Sequence, residues 1–341
     1  MRTSRWLCAI GLCVAVLVGL VAPASSQAYP SRSIRIVLPI TPGSVTDVAA
    51  RLIAQELSDR MGGVSVIIDN RPGAGSVVAT QECVRAAPDG YTLCLLASDI
   101  AYGPFTIPNL PFNPVTDLRA VSNLYTVTEG LFARKSLAAN TISELKAMAV
   151  AKPDGVTFAA LGLLSDIFRE WINDKWKVQM VGVPYKGGSE VVSALLSESV
   201  DIGRMGMGNA VSQLGEGKLK ILAAASKQRS EMLPNTQTLT ESELGDYPGV
   251  PIFWGVFVPA QTPDVIVNRI NSELVQVVRG PKFVDFAKKQ YLEIEATTPK
   301  AFEDYLAVQR AHSGALIQKY RPSIIPAGVT IPALPAGASK S

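Results

Sequence analysis

A chain of 341 residues, 48% hydrophobic and 18% charged, is long enough for two ordinary globular domains and too apolar to be a disordered polymer. Its formal net charge is only +3, and Arg2 and Arg5 at the extreme N-terminus supply two of those charges, so the balance gives no support to nucleic-acid binding. The single histidine, His312, rules out a histidine-rich metal cluster and leaves a Ser-His-Asp triad with one candidate base and no serine motif to serve it; it reads as a solvated helix residue.

Residues 1–28 read as a secretory signal. Arg2 and Arg5 precede an apolar core from Leu7 to Val21, and Ser26-Gln27-Ala28 has the small residues of a cleavage site. The core is short for a membrane span, and neither Cys8 nor Cys13 sits in a lipoprotein cleavage pattern. An exported soluble chain starting near Tyr29 is expected, with Cys83 and Cys94 as its cysteines. In an oxidising compartment these two can pair, since one falls on a helix and the other on the next strand; the reading favoured from sequence is two buried small hydrophobes.

Strands and helices then alternate, which predicts α/β domains with largely parallel sheets. Strand Ile34–Leu38 feeds a loop, Pro39 to Asp47, and helix Thr46–Met61 follows with Val48, Leu52, Ile53 and Leu57 at helical spacing and Gly62-Gly63 as its stop. Strand Val64–Ile68 feeds Asn70-Arg71-Pro72-Gly73-Ala74-Gly75-Ser76, which opens helix Val77–Ala86. Gly73 and Gly75 permit positive φ and close approach of a ligand, and the helix start beyond them offers unpaired N–H groups and the positive dipole end. Two such loops on neighbouring strands aim backbone donors at one spot, a site for a small carboxylate without covalent chemistry. Pro88-Asp89-Gly90 turns the chain into strand Tyr91–Leu96, and Ser98 and Asp99 fall at its C-terminal end, where open α/β sheets place ligand loops.

Residues 103–114 are proline-rich and irregular, and strands Val121–Val127 and Leu131–Ala133 follow, with a first domain crossing near Asn123–Thr126. Next come a helix to Ala151, strand Val156–Ala160, helix Ser165–Trp176, strand Val178–Val183, helix Glu190–Ser197, strand Val200–Met205, helix Asn209–Glu216 and strand Leu219–Ala225. Pro251–Val258 is the natural return crossing. Helices Pro263–Arg279, Pro281–Gln290 and Pro299–Tyr320 each begin with proline in the first turn, and the tail from Pro322 reads as disordered or loosely attached.

Several residues have competing readings. Asp47, in a first helical turn, more simply orients its loop than meets a ligand. Lys186 lacks the spacing of a phosphate-binding lysine, and Gly206-Met207-Gly208 lacks the third glycine of a dinucleotide fingerprint, with Val211 in its place. Arg204 either faces the cleft or pairs with an acid such as Glu216. Trp171 and Trp176 read as packing residues, and Trp254 as core or cleft floor.

Taken together, Tyr29-Pro30, Pro42-Gly43 with Thr46-Asp47, Asn70 to Gly75, Ala87 to Leu93, Val183 to Gly188, Val200-Asp201-Ile202 and Trp254 to Ala260 resemble, in order and spacing, the Bug-type receptors of tripartite tricarboxylate transporters. The resemblance covers nearly all the exported chain. It implies a type II periplasmic-binding-protein fold, two α/β domains joined by a hinge the chain crosses twice: 29–123 with 252–320, and 124–251, followed by a Pro/Ala-rich tail, 321–341. It also implies a monomeric extracytoplasmic solute receptor, not an enzyme, with no cofactor or metal. Such a receptor captures a small carboxylate by closure and hands it to membrane permease subunits. The implied ligand set is Thr41, Gly43, Ser44, Thr46, Asp47, Gly73, Ala74, Gly75 and Ser76, with Ser98 added.

Around residues 159–168 the chain departs from the family's glycine-, serine- and histidine-bearing pattern, keeping Gly162 and Ser165 among Ala159, Ala160, Leu164 and Phe168. A monocarboxylate or aromatic acid touching Leu161, Gly162, Leu163 and Ser165 is therefore expected, with Arg204 a second charge partner. A receptor for a sensor kinase, or an exported α/β enzyme, are the alternatives; the second lacks a Gly-x-Ser-x-Gly elbow.

Overall fold

The computed structural model describes residues 29–334 apart from Lys227, Asp246 and Pro248. The expected signal sequence lies outside the described residues.

In the first half, β1 (Ile34–Leu38), β2 (Val66–Asn70) and β3 (Thr92–Ala97) are parallel neighbours, with β1 between the other two. Helix α1 (Val45–Arg60) links β1 to β2, and α2 (Val77–Val84) links β2 to β3. β2 therefore sits two residues later than its apolar run suggests, because Asp69 and Asn70 complete the ladder against Val37 and Leu38. A four-residue helix, α3 (Asp99–Tyr102), and a 3₁₀ turn (Gly103–Phe105) start the irregular stretch. β4 (Leu118–Val127) completes this sheet's first pass.

After Thr128 the chain builds a second sheet. It comprises β5 (Glu129–Arg134), α4 (Ile142–Ala151), β6 (Thr157–Leu161), α5 (Gly162–Trp176), β7 (Val181–Tyr185), α6 (Gly188–Leu196), β8 (Ile202–Gly206), α7 (Val211–Gly215) and β9 (Leu219–Ala224). β10 (Ile252–Pro259) returns to the first sheet. It is followed by α8 (Asp264–Val278), α9 (Pro281–Gln290), a short strand β11 (Leu292–Ile294) that periodicity does not reveal, and α10 (Pro299–Tyr320). The described residues form a six-stranded sheet, β11-β4-β10-β3-β1-β2, and a five-stranded sheet, β7-β6-β8-β5-β9.

The sheets are mixed, which corrects the largely parallel expectation. β10 runs antiparallel to both β3 and β4, and β5 antiparallel to β8 and β9. The cause is the double passage between sheets: strands that leave and re-enter lie side by side and must run in opposite directions.

Period-two alternation explains how each sheet fills two cores. Ile36 and Leu38 pack with Val256 and Val258 against α1, α8 and α9, while Val37 packs with Phe253 and Phe257 against α2 and α10. In the second sheet Leu131 and Phe158 face α4 and α5, whereas Phe132 and Met205 face α6. Gly255 has a steric reason: a Cβ there would stand 2.2 Å from the Phe302 ring, which lies against β10.

Two expectations are corrected. Cys83 on α2 and Cys94 on β3 are fully buried and form a disulfide, so they are not separate thiols. Residues 321–331 are not loose: Ile324, Ile325, Val329 and Ile331 pack in one apolar cluster with Phe105, Ile167 and Ile317. Prolines and alanines conceal these isoleucines from a compositional reading.

Candidate functional site

The loops after β1 and β2 lie side by side because one carboxylate ties them. The Ser44 hydroxyl caps α1 by accepting from the Asp47 N–H at 3.2 Å, and Asp47 in turn accepts from the Gly43 N–H at 3.0 Å. The other side of Asp47 accepts from Asn70 Nδ2 at 2.9 Å, and Asn70 Nδ2 also donates to the Ile40 carbonyl at 3.1 Å. Arg51, one turn along α1, donates to both Asp47 oxygens at 2.9 and 3.2 Å. Asp47 is thus a structural hub, and sequence reasoning missed Asn70 and Arg51 as its partners.

Burial alone would raise the Asp47 pKa, but bonds from Arg51, Gly43 and Asn70 outweigh it and hold the carboxyl below its ordinary 3.8. A lowered folded pKa means a contribution complete above pH 3.8 and lost as pH falls through the folded value. Asp47→Ala is expected to cost about 2 kcal/mol, from the charge-assisted bonds that a buried carboxylate accepts from Gly43, Asn70 and Arg51. Denaturant unfolding should show that loss at pH 7 and a smaller one at pH 3.

The second loop is a run of left-handed backbone: Gly73, Ala74, Gly75 and Ser76 have φ of 138°, 46°, 59° and 69°. Two of the four carry a Cβ, so the conformation is held at a cost, as happens at ligand sites. Ser76 opens α2 without a side-chain capping bond, and the Gly73 to Ser76 N–H groups donate to no described protein acceptor. The first turn of α2 therefore offers free donors and the positive dipole end.

Between the two sheets lies a cavity of ≈ 270 Å³. From the first sheet it is walled by Ile40, Ser76, Ala97, Ser98, Asp99 and Tyr102. From the second come Leu161 to Ser165 at the start of α5, with Glu129 and Arg204. Val250, Ile252 and Trp254, on the return crossing, close the floor. Helix α5 begins at Gly162, three residues before the expected Ser165, because Gly162 takes φ 71° and turns the chain from β6 directly into the helix. Like α2, it has no side-chain cap.

Of the sequence-derived residues, Ser76, Ser98, Leu161, Gly162, Leu163, Ser165 and Arg204 line this cavity. Thr41, Gly43, Gly73, Ala74 and Gly75 are exposed on the adjoining loops, and Ser44, Thr46 and Asp47 lie in the first turn of α1 or its cap. Asp99, marked beside Ser98 at the strand end, lines the cavity as well, whereas sequence reasoning missed Ile40, Ala97, Tyr102, Glu129, Val250 and Ile252. Of these, Glu129 had a weak signal, an acid opening an apolar strand.

Arg204 does not pair with Glu216, which bonds Lys218 instead. Its Nη2 donates to Glu129 Oε2 at 2.5 Å, both residues at most 5% exposed, and its guanidinium lies 5.2 Å from the Phe168 ring and 5.7 Å from the Tyr247 ring. β5 and β8 are paired so that Leu131 faces Arg204, which brings Glu129 within reach. Burial pushes the Glu129 carboxyl up even with Arg204 beside it. Burial likewise holds Asp99 above the usual carboxylate range. Among the described residues Arg204 Nε, Ser165 Oγ and Asp99 Oδ1 are buried and have no hydrogen-bond partner, although all three side chains line the cavity. Among the described residues no cluster of His, Cys, Asp and Glu is placed to hold a metal.

Two α/β sheets joined by neighbouring antiparallel strands, with a chamber at their junction faced by uncapped helix starts, define a solute-binding protein of the periplasmic binding-protein fold. The family model described as "Tripartite tricarboxylate transporter family receptor" matches residues 49–321, and the chain belongs to that family as a Bug-type receptor. BugT of Bordetella pertussis is 30% identical over 311 residues, 90% of this chain and 94% of its own length. The solved structure of the periplasmic binding protein BugD superposes with TM-score 0.74 at 28% identity, covering 86% of this chain and 98% of its own. MatC from Rhodopseudomonas palustris with bound malate superposes with TM-score 0.72 at 26% identity, covering 85% and 100%.

Proposed function

We propose that this receptor, exported to the periplasm with its signal removed, captures a small organic carboxylate as a monomer and delivers it to a tripartite-type permease without chemical turnover. The carrying observation is that two helix starts from opposite sheets, α2 and α5, face one chamber and neither is capped by a side chain. Helix starts of this kind favour an anion through N–H groups and the dipole. The malate bound to the 26% identical relative supports the carboxylate class.

The remaining wall favours an apolar body. Leu161, Leu163, Leu164, Ile252 and Trp254 offer carbon surface, so a monocarboxylate or aromatic acid fits better than a small polar diacid. Arg204, already engaged by Glu129, is the second positive group such a guest would meet. Burial raises the Asp99 carboxyl above its ordinary value, which weakens its opposition to a neighbouring anion. Capture works by closure: the ligand shifts the population towards the closed form only as far as it binds that form better. Several charge-assisted bonds of about 1.5–3 kcal/mol each give micromolar affinity after ordering costs.

Native mass spectrometry of freshly purified protein, followed by a thermal-shift screen with benzoate, hexanoate, succinate and malate, tests the reading. Stabilisation by succinate and malate alone would overturn the apolar-acid part, and turnover of any acid would overturn the receptor. Gly73→Val and Gly75→Val put a β-branched residue at φ 138° and 59°, so each is expected to abolish the shift while leaving the circular dichroism spectrum intact. Unchanged calorimetric affinity in both variants would remove the glycine loop from the site.

A further inference from the structure

The family match ends at residue 321, but the ordered chain does not. Helix α10 packs on β4 and α3 of the first sheet's domain, and its last turns reach across to α5 of the second. There Arg321 bonds Asp166 and Glu170, and Lys319 bonds Asp174 at 3.2 Å, all three acids on α5. Beyond Arg321 the chain turns back through a 3₁₀ turn (Pro322–Ile324), and Ile331 returns to α10. Gly314 makes room for it: a Cβ there would lie 2.7 Å from Ile331 and 3.1 Å from Phe105. The cluster so formed joins Phe105 and Tyr102 of the first domain to Leu163, Leu164 and Ile167 of the second. Tyr102, Leu163 and Leu164 also line the ligand cavity, so one layer of side chains separates the tail from the chamber.

We propose that residues 321–331 are a strap that fastens the N-terminal half of α5 to the first domain and thereby positions the apolar, specificity-determining wall of the chamber. The strap is a connection between domains formed by packing and ion pairs, made outside the two crossing strands. Its chemistry suits both tasks. Isoleucine and valine back the wall from behind, and Arg321 sets the position of α5 along its axis through two acids one turn apart. The specificity role rests on the chamber being the ligand site; the fastening role does not.

Two variants test it, a chain ending at Tyr320 and the full chain carrying Arg321→Ala with Ile331→Ser, which covers failure of the truncated form to fold. Hydrogen exchange read by mass spectrometry should show amides of residues 162–170 exchanging at least about tenfold faster in either variant, with 34–38 unchanged. Equal exchange of 162–170 in the variant and the parent would overturn the strap. Thermal shifts with hexanoate and benzoate then read specificity: the variants should shift the ratio of the two responses. An unchanged ratio with faster exchange would overturn the wall's dependence on the strap. No response to any acid in the parent would count against the proposed ligand class and leave the exchange result to decide the strap.

Discussion

Replacing Arg204 by methionine is expected to destabilise the folded chain by about 3–5 kcal/mol, the cost of leaving one member of a buried ion pair alone. Arg204 is 4% exposed and Glu129 5%, so neither charge is served by bulk water. The loss should depend on pH. Burial already holds the Glu129 carboxyl above its ordinary value near 4.5, with Arg204 pulling it down. Without Arg204 it rises further. A carboxyl whose folded pKa is raised contributes stability below its unfolded value, and that contribution is lost as pH rises through the folded one. Arg204→Met should therefore look mild at pH 5 and severe at pH 8. The double variant with Glu129→Leu should recover most of the loss, because a well-packed apolar pair replaces a buried ionic one at little cost. Urea unfolding of the three chains at both pH values measures this; equal losses in the single and double variants would show that the pair itself is not the cause.

Reducing the Cys83–Cys94 bond is expected to cost about 3 kcal/mol, from the loop-closure entropy of a bridge across a separation of 11 residues. The bond ties α2 to β3 at the level where β3 pairs with β1 through Val37 and Cys94. Since α2 begins at the left-handed run ending in Ser76, the bridge also steadies the helix start that faces the cavity. Cys83→Ala with Cys94→Ala should lower the urea midpoint, and parent protein unfolded in reductant should match it. A midpoint insensitive to reductant would mean the bridge does not form in solution.

The parts of the fold carried by local rules were legible. Helix α1 shows its apolar positions at helical spacing and its double-glycine stop, and α8 to α10 show their prolines, while the Ser44 cap of α1 came only with the structure. The two glycine loops were legible for the same reason, since turn chemistry is written in consecutive residues. What depends on register was not. Nothing in the sequence says that Leu131 stands opposite Arg204, so Glu129 could not be chosen over Glu216 as its partner. The disulfide needed the distance from helix to strand, and the tail needed knowledge of the space Gly314 leaves beside Phe105. Tyr102 was hidden differently, inside a four-residue helix too short to have a pattern.

Thr128 is the link by which the chain leaves the first sheet, and residues 225–251 bring it back. Glu129 on one side of that seam, and Val250 and Ile252 on the other, are cavity wall. Under the proposed capture by closure, a guest in the chamber would rest directly on the joints, so its size and shape would set how far the two halves swing, with no relay of intervening side chains.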